Sequence, residues 1–470
     1  MSSPKSSNNL STVRKPVVAV AMSGGVDSSV AAYLLKKRGL DIVGFMLHFW
    51  EPEDLATGKK KNNLCCDDCA VLAAKKVAAQ LDIPLHIINA EEEFKEKIVD
   101  SFVKEYEAGR TPNPCVLCNR FIKFGLLYDK AMELGADFLA TGHYVRGADI
   151  EKSEARNTKY ETNQENSNDQ NSKLNARLPS PAGSANGGQA KHSTLNANLY
   201  RSKDTKKDQT YFLWKIRPEI VPQLIFPLGE MEKSEVRAVA READFAVADK
   251  KDSQELCFIP DGDIGNFLLH YAKKMKKNWT ITNVAGHLLG EYQGLAFFTI
   301  GQKARFDSQI MGNWRKSQIS NLKSQIKNYK SKIRNSNLQS AICNLQCSSP
   351  RLYVVKLDGK NNRVIIGEDK DLFVKKLVAT EANILDTGLL NMQGKKVLAQ
   401  IRSGQEPQLA TIKRIATDSS RVNPPMSQSG QARGSALELM FEKPVRAVTP
   451  GQSVVLYDKS GKMLGGGVIS

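Results

Sequence analysis

The sequence contains no run approaching the roughly 20 consecutive apolar residues that a membrane-spanning helix requires. Its first fifteen residues are rich in Ser and Asn and lack the apolar core of a signal peptide. Residues 1–15 are therefore predicted to form a disordered tail, and the protein is predicted to be cytoplasmic. Cysteine is also scarce, with 8 in 470 residues. That number is too small for a disulfide scaffold, so a cysteine that matters here is expected to be catalytic, metal-binding or redox-active.

Acidic residues are too few to balance the basic ones. The chain has 67 Lys and Arg against 50 Asp and Glu, a formal net charge of +17 at pH 7. This excess favours a polyanionic partner, with nucleic acid as the first candidate. A chain of 470 residues is too long for a single hydrophobic core, so two or three domains are expected.

Apolar residues are nearly absent from residues 151–198, which contain three Leu, one Tyr and no Ile, Val, Phe, Met or Trp. Such a segment cannot bury enough apolar surface to fold, and it is predicted to be a disordered insertion. Residues 308–350 contain seven basic residues and no acid, and isoleucine recurs every seven residues from Ile319. This pattern indicates a low-complexity insertion of marginal helicity or, alternatively, an RNA-binding helix. Residues 416–435 carry an Asn-Pro-Pro turn and are predicted to be a loop insertion.

The remaining segments suggest three domains. Buried apolar runs alternate with helical stretches from residue 16 to residue 145, which predicts an α/β domain with a parallel sheet. This domain is assigned residues 16–217 and contains the insertion 151–198. Residues 351–470 contain short β-rich runs separated by turn residues, which predicts a C-terminal antiparallel β-barrel. Residues 218–303 have a mixed pattern and are assigned to a small central domain.

A Ser/Gly-rich octet, Met22–Ser29, follows the first predicted strand and leads into a helix. Glycines let the backbone approach an anion, and the free N–H groups of a helix start hold phosphate oxygens. The octet lacks the Gly-Lys-Ser/Thr ending of the Walker loop; it resembles the pyrophosphate loop of ATP pyrophosphatases, which split ATP between its α and β phosphates. The alternative is an ordinary strand-to-helix turn. The resemblance implies an ATP site, with Asp27 on Mg²⁺ and Leu47 beside the adenine, that includes Ala21, Met22, Ser23, Gly24, Gly25, Val26, Asp27, Ser28 and Leu47.

Two cysteine positions have settings that favour reactivity. Cys118 follows a Pro-bounded turn at a helix start with Arg120 and Lys123 nearby, a setting that lowers the pKa of a thiol. Taken alone, Cys115 and Cys118 would indicate half a metal site or a redox pair. Cys257, between Leu256 and Phe258, would alone be read as a core residue.

Considered together, the motifs resemble those of bacterial tRNA-specific 2-thiouridylases, which replace the C2 oxygen of the wobble uridine with sulfur. The matching segments, in the order seen in that family, are Met22–Ser29, Gly109–Asn119, Ala140–Tyr144, Lys207–Leu213, Cys257–Ile259, Thr449–Gln452 and Leu464–Gly467. The match extends from residue 16 to residue 470, interrupted by the insertions.

The resemblance implies a mechanism and its partners. ATP adenylates the uridine oxygen; Cys257 carries a persulfide received from a cysteine desulfurase or a sulfur-relay protein, and Cys118 attacks the persulfide or its adduct. A Cys118–Cys257 disulfide then forms, which a reductant reopens. Gly142 would contact the nucleotide. The implied tRNA contacts are Asn113, Pro114, Cys115, His143, Lys207, Asp208, Gln209, Arg402, Ser403 and Gln452.

Three positions depart from the family pattern. Cys115 stands where many members have Asp, Ser403 replaces a Tyr, and Leu47 replaces a Met. Cys115 also opens a rival mechanism, in which Cys115, Cys118 and Cys257 hold a [4Fe–4S] cluster. A second cysteine group, Cys65-Cys66-x-x-Cys69, lacks a partner pair at zinc-ligand spacing and is assigned no role.

Two other functions fit part of the sequence. A ligase or amidotransferase for a small metabolite would explain the phosphate loop but neither the paired cysteines nor the β-domain. A nucleotide-gated RNA-binding protein without catalytic activity would explain the charge and the loop but again not the cysteines. The sulfurtransferase alone accounts for all three features.

Overall fold

The computed structural model describes residues 14–51, 68–147, 198–250, 252, 256–259, 262–272, 278–293, 298–303, 308–328, 351–416 and 435–470. Several predicted features lie outside these residues. They are the tail through residue 13, the insertion 151–198 except its last residue, residues 329–350, most of the loop 416–435, and Cys65 and Cys66.

The first domain is built on a parallel sheet of five strands in the order β3-β2-β1-β4-β7. The strands are Val17–Ala21 (β1), Asp41–His48 (β2), Leu85–Asn89 (β3), Phe138–Ala140 (β4) and Leu224–Ile225 (β7). Val18, Ala19 and Val20 of β1 have no exposed surface, as expected of a central parallel strand covered on both faces. The predicted parallel-sheet α/β domain is confirmed.

Helical segments connect these strands. They are Val26–Lys37, Asp68–Gln80, Glu91–Phe94, Lys95–Asp100, Ser101–Glu107, Pro114–Leu117, Cys118–Leu127 and Tyr128–Glu133, of which Lys95–Asp100 and Cys118–Leu127 have the wider π-helical winding. β2 and β4 flank β1 on opposite sides, so the chain leaves the carboxyl ends of β1 and β4 in opposite directions. A crevice at such a switch point is where open parallel sheets bind their ligands.

The first domain extends beyond its predicted end at residue 217. β7 is the edge strand of its sheet, and the helix Lys233–Glu242 packs against the helix Val26–Lys37. Val236 and Ala240 of the later helix are fully buried in the same core as Val18. The charged surface of this helix suggested a separate domain, but its narrow apolar face closes the first one.

The central domain contains a four-stranded mixed sheet in the order β10-β11-β8-β9. Its strands are Asn278–Asn283 (β8), Leu288–Gln293 (β9), Tyr353–Asp358 (β10) and Arg363–Gly367 (β11). β10 and β11 fall within the segment predicted to form the barrel, but β11 pairs in parallel with β8. The domain also has the helices Ile264–Tyr271 and Ser308–Asn328.

The helix Ser308–Asn328 begins where the low-complexity insertion 308–350 was predicted to begin. Its first turns belong to the core of the central domain, because Ile310 and Trp314, one turn apart, are buried against the central sheet. Composition did not indicate this packing, because most residues around Ile310 and Trp314 are polar.

Six antiparallel strands close the C-terminal barrel, as predicted, in the order β12-β15-β14-β13-β16-β17. They are Phe373–Ile384 (β12), Lys396–Gln400 (β13), Gln408–Ala416 (β14), Ala436–Arg446 (β15), Ser453–Tyr457 (β16) and Met463–Ile469 (β17). A short antiparallel pair, Val145–Arg146 (β5) and Tyr200–Arg201 (β6), lies beside the first domain. Short 3₁₀ turns occupy Thr210–Phe212, Pro218–Gln223, Asp369–Leu372 and Thr387–Asn391. Among the described residues, no helix combines the length and apolarity needed to cross a bilayer.

Candidate active site

The Ser/Gly-rich loop connects β1 to the helix Val26–Lys37 and is held in shape by its own hydroxyls. Ser28 Oγ accepts a hydrogen bond from Ser23 N at 3.2 Å and donates one to Gly25 O at 3.1 Å. Gly24 has a φ of +66°, and a Cβ there would lie 2.2 Å from the backbone oxygen of Ala70. The loop is thus pressed against the start of the helix Asp68–Gln80, a geometry open only to glycine.

Gly142 follows β4 and lies directly against the same loop. A Cβ at this position would come within 2.7 Å of the carbonyl carbon of Asp27 and 2.8 Å of Ser28 N. The loop after β4 can approach the helix start this closely because residue 142 has no side chain. Gly142, which the family resemblance implies as a nucleotide contact, therefore lies against the phosphate loop.

A pocket of about 390 Å³ opens at this edge of the sheet. It brings together nine of the ten predicted ATP-site residues, leaving only Gly24 outside its lining, and it also includes three residues predicted to contact tRNA: His143, Lys207 and Gln209. Four lysines face it, Lys123, Lys207, Lys233 and Lys250. A cavity of this size with several ammonium groups and a helix start suits a nucleotide with anionic phosphates.

An ion-pair network crosses the pocket. The ammonium of Lys233 lies 2.8 Å from both carboxylate oxygens of Asp27 and 2.9 Å from Asp252. Asp252 also receives Lys207 at 2.7 Å and Arg237 at 2.9 Å. Partial burial alone would raise the pKa of Asp252, but the ammonium groups of Lys207 and Lys233 outweigh it and lower the pKa to about 2.

Lys233, Lys250 and Asp252 are pocket residues that the sequence analysis missed. Lys250 Nζ donates to Gly24 O at 3.3 Å, so it reaches the phosphate loop directly. Lys233 is the first residue of its helix, at a position where a charged side chain would ordinarily be assigned to solvent. For Asp252, the sequence did offer one indication of a functional role, because this residue precedes Cys257 by only five positions.

His143 forms a buried wall of the pocket. Its ring packs near Phe124 and Phe226, and Nδ1 lies 2.8 Å from Thr141 Oγ1. Burial, reinforced by the positive charge of Lys123, holds the pKa of His143 well below its ordinary value. The imidazole is therefore neutral at physiological pH, and the predicted tRNA contact at His143 stays a prediction.

The two cysteine segments lie on a common core. Cys118 is the first residue of the π-helical segment Cys118–Leu127, a winding that is frequent at functional sites. Cys118 and Cys257 are both partly buried and pack against the same hydrophobic cluster, in which Phe258 contacts the rings of Phe94, Phe102 and Phe267. Cys115, one turn before Cys118, is exposed. Cys118 and Cys257 do not line the nucleotide pocket.

The described residues do not form a ready iron–sulfur ligand set. Within them, no three His, Cys, Asp or Glu side chains form a group that could hold a metal ion. Cys115, Cys118 and Cys257 are therefore not gathered as the three ligands of a cluster.

The other implied tRNA contacts occupy different settings. Asp208 is almost fully buried, pairs with Arg201 at 3.0 Å and accepts the hydroxyl of Thr210, so it acts as a structural anchor in this conformation. Ser403 is exposed on the barrel. Arg402 and Gln452 of the barrel make hydrogen bonds within the protein, and Gln452 reaches the segment that contains Asn113 and Pro114.

Two family models match the chain. The tRNA methyl transferase HUP domain matches residues 16–177 and 184–261, and the aminomethyltransferase beta-barrel domain matches residues 423–469. A U34-tRNA thiolase NcsA from Methanococcus maripaludis, described with its [4Fe-4S] cluster, is similar at 19% identity over 55% of this chain and 67% of that one. The TM-score of 0.27 is too low to support an argument.

Curated relatives align over nearly their whole length. A tRNA-specific 2-thiouridylase MnmA from Clostridioides difficile (strain 630) is 32% identical over 96% of this chain and 97% of the relative. A tRNA-specific 2-thiouridylase MnmA 2 from Thermoanaerobacter sp. (strain X514) is 36% identical, again over 96% and 97%. With the phosphate loop, the cysteine segments and the barrel all in place, the chain belongs to the tRNA-specific 2-thiouridylase family.

Proposed function

We propose that this protein is an ATP-dependent tRNA sulfurtransferase that converts the wobble uridine of tRNA to 2-thiouridine. The observation that carries the proposal is the lysine-lined pocket built on the phosphate loop, in a chain of this family. The pocket supports binding of ATP for the adenylation step, and Cys118 and Cys257 are the residues assigned to the sulfur-transfer step.

Adenylation comes first, because a uracil carbonyl oxygen is a poor leaving group. The O2 atom attacks the α-phosphorus of ATP, the bond to the β-phosphate breaks, and pyrophosphate leaves. Backbone N–H groups of the phosphate loop, with the ammonium groups of Lys207 and Lys233, suit the charge on the departing pyrophosphate. Asp27 lines the pocket and would hold Mg²⁺ with one carboxylate, which suffices because this ion takes most of its ligands from phosphates and water.

Sulfur transfer follows. The terminal sulfur of a persulfide on Cys257 bonds to C2, and the C2–O bond breaks so that AMP leaves with the oxygen. The thiolate of Cys118 then attacks Sγ of Cys257 and breaks the S–S bond, which leaves sulfur on C2 and joins Cys118 to Cys257. Two electrons from a thiol reductant restore both cysteines. The persulfide sulfur is supplied by a cysteine desulfurase or a relay protein, and the reaction is assigned to the cytoplasm.

The residues that would contact tRNA are assigned by their resemblance to positions in the family. Asn113, Pro114 and Cys115 would line the target base at the entrance to the Cys118 helix, and Cys115 brings no carboxylate to this place. The net positive charge supports binding of a folded RNA. The remaining assigned contacts are His143, Lys207, Asp208, Gln209, Arg402, Ser403 and Gln452.

One assay tests the proposal. Purified protein is incubated with unmodified tRNA, a cysteine desulfurase and ³⁵S-labelled cysteine, with and without ATP. We expect label in the tRNA only when ATP is present, and none with Cys257→Ala or Cys118→Ala. The exposed Cys69 provides a matched control, since Cys69→Ala is expected to transfer label as the wild type does. Full transfer by Cys257→Ala would contradict the mechanism.

The iron–sulfur alternative is tested separately. Protein purified without oxygen is assayed for iron and acid-labile sulfide and scanned for visible absorption. We expect colourless, iron-free enzyme that retains full activity. An enzyme whose activity follows its iron content would replace the persulfide mechanism with one that uses a cluster.

A further inference from the structure

The chain segment that leads to Cys115 and Cys118 takes its backbone hydrogen bonds from the barrel. Thr111 N donates to Pro450 O at 2.9 Å. Gln452 Nε2 donates to the carbonyl oxygens of Thr111 at 3.0 Å and Pro112 at 3.1 Å. Pro112 and Pro114 have no N–H to offer, so this segment has little means of holding itself in place.

Backbone packing reinforces these hydrogen bonds. Gly451 has a φ of +90°, and a Cβ there would lie 2.8 Å from the oxygen of Thr111 and 3.0 Å from its nitrogen. At the start of the segment, a Cβ on Gly109 would lie 2.9 Å from the nitrogen of Gly359, between β10 and β11. The segment is therefore clamped by backbone contacts at both places.

Tyr211 holds the barrel turn that contacts this segment. Its side chain is buried, with 1% of the residue exposed, and its hydroxyl donates to Ser453 O at 2.9 Å. The same hydroxyl lies 3.2 Å from the carbonyl oxygen of Ile401, which directly follows β13. Tyr211 thus fixes Ser453, the first residue of β16 and the neighbour of Gln452.

Arg402 fixes the barrel turn that makes these contacts. One guanidinium nitrogen, Nη2, lies 3.0 Å from the oxygens of Ile300, Ala447 and Thr449 Oγ1. Gln452 N then donates to Thr449 O, and Gly451 N donates to Ile469 O in β17. The turn 449–453 is in this way tied to the central domain and to the last strand.

We infer that Gln452 and Tyr211 are positioning residues, through which the barrel turn 449–453 sets the placement of the Cys118 helix. The barrel then acts on the nucleophile itself, in addition to any contact with tRNA. This inference rests on the proposed function only for the role of Cys118, because the hydrogen bonds exist without tRNA. Displacements of about 1 Å at a reacting group can cost about 100-fold in rate.

The test compares Gln452→Leu with Gln408→Leu, because Gln408 is an exposed glutamine at the start of β14 whose side-chain amide donates to Glu406 O at 3.1 Å. Without tRNA or ATP, the rate of Cys118 alkylation by iodoacetamide is followed by peptide mass spectrometry across pH. We expect Gln452→Leu to change this rate by at least about threefold and to shift its pH profile, because thiolate reactivity depends on the surroundings of the thiol. Gln408→Leu should match the wild type.

Thiolation kinetics provide the second readout. Gln452→Leu should lower kcat about 10- to 100-fold, whereas loss of a tRNA contact alone would raise KM for tRNA and leave kcat unchanged. Tyr211→Phe, which keeps the buried ring and removes the hydroxyl, should shift both readouts in the same direction and keeps the test available if Gln452→Leu does not fold. An unchanged alkylation rate in the folded variants, with only KM for tRNA raised, would overturn the inference and leave Gln452 with a tRNA contact as its only role. If the wild type fails to thiolate tRNA, the proposed function fails, while the alkylation comparison still decides the positioning role.

Discussion

Replacing Lys233 by Met removes the ammonium at the centre of the pocket and keeps the length of the side chain. In the structure this ammonium pairs with both Asp27 and Asp252, and the Lys233 side chain is only 12% exposed. A bound triphosphate would bring several negative charges to the same place, and Mg²⁺ on Asp27 would release Lys233 toward them. A hydrogen bond between charged groups contributes about 2–3 kcal/mol, which corresponds to about 30- to 150-fold in affinity or rate.

Pyrophosphate release in the presence of unmodified tRNA measures this effect, because it reports adenylation before sulfur is needed. We expect kcat/KM for ATP to fall about 30- to 150-fold in Lys233→Met. Lys203→Met is the matched control: Lys203 pairs with Glu235 at 3.4 Å on the surface, with both side chains about half exposed, and it does not line the pocket. If Lys233→Met stays within about threefold of Lys203→Met, the ammonium does not act on the nucleotide and the reasoning is refuted.

Three further outcomes follow from the geometry. Asp252→Asn should lower the free energy of unfolding by about 1–2 kcal/mol at pH 7, once screening by water is allowed for. Because folding lowers the pKa of Asp252 from 3.8 to about 2, this contribution is present above pH 4 and disappears toward pH 2. Equal urea midpoints for the variant and the wild type at pH 7 would contradict it. Gly451→Ala should lower the melting temperature more than Gly394→Ala, because both glycines have positive φ but only Gly451 faces a backbone at 2.8 Å, and equal melting temperatures would argue against the clamp. His143, whose folded pKa lies well below 6.5, should show no titration of its ring proton resonances between pH 6 and 8; its contribution to stability is complete above about pH 6.5 and declines as the pH falls, and a midpoint near 6.5 would show that the ring is solvated.

The phosphate loop and its position could be predicted because their signals are local. Met22–Ser29 combines a strand end, glycines and a helix start in eight consecutive residues, and the parallel sheet then places it at the ligand-binding edge. Gly142 was predicted through the family resemblance, and the structure explains this residue because only glycine has room beside the backbone of Asp27.

The residues that complete the pocket could not be predicted in this way. Lys233 reaches Asp27 across 206 positions of sequence, and nothing near either residue announces the other. An aspartate such as Asp208 would be expected on the surface, but the structure buries its side chain and pairs it with Arg201. Burial of a charge depends on a partner that the tertiary fold supplies.

The strand assignment met the same obstacle. β10 and β11 are short β-rich runs like those of the barrel and were predicted to belong to it, but a β-rich run does not specify which strand it pairs with. The pairing of Val364 with Ile281 assigns them to the central sheet, 83 residues away. Local β-rich composition between turn residues predicted the presence of these strands, and only the three-dimensional structure identified their sheet.

The short pair of β5 and β6 has a practical consequence. Val145 and Arg146 pair with Arg201 and Tyr200, so residues 147 and 198 begin and end the intervening segment side by side. Leu199 and Arg201 are further hydrogen-bonded to Met463 and Gly461 of the barrel end, which fixes the return point. Loop-closure entropy grows slowly with length, so these two attachment points can accept connections of very different length. A short Gly/Ser linker, or a folded domain with adjacent termini, could replace residues 148–197 without moving β5 and β6.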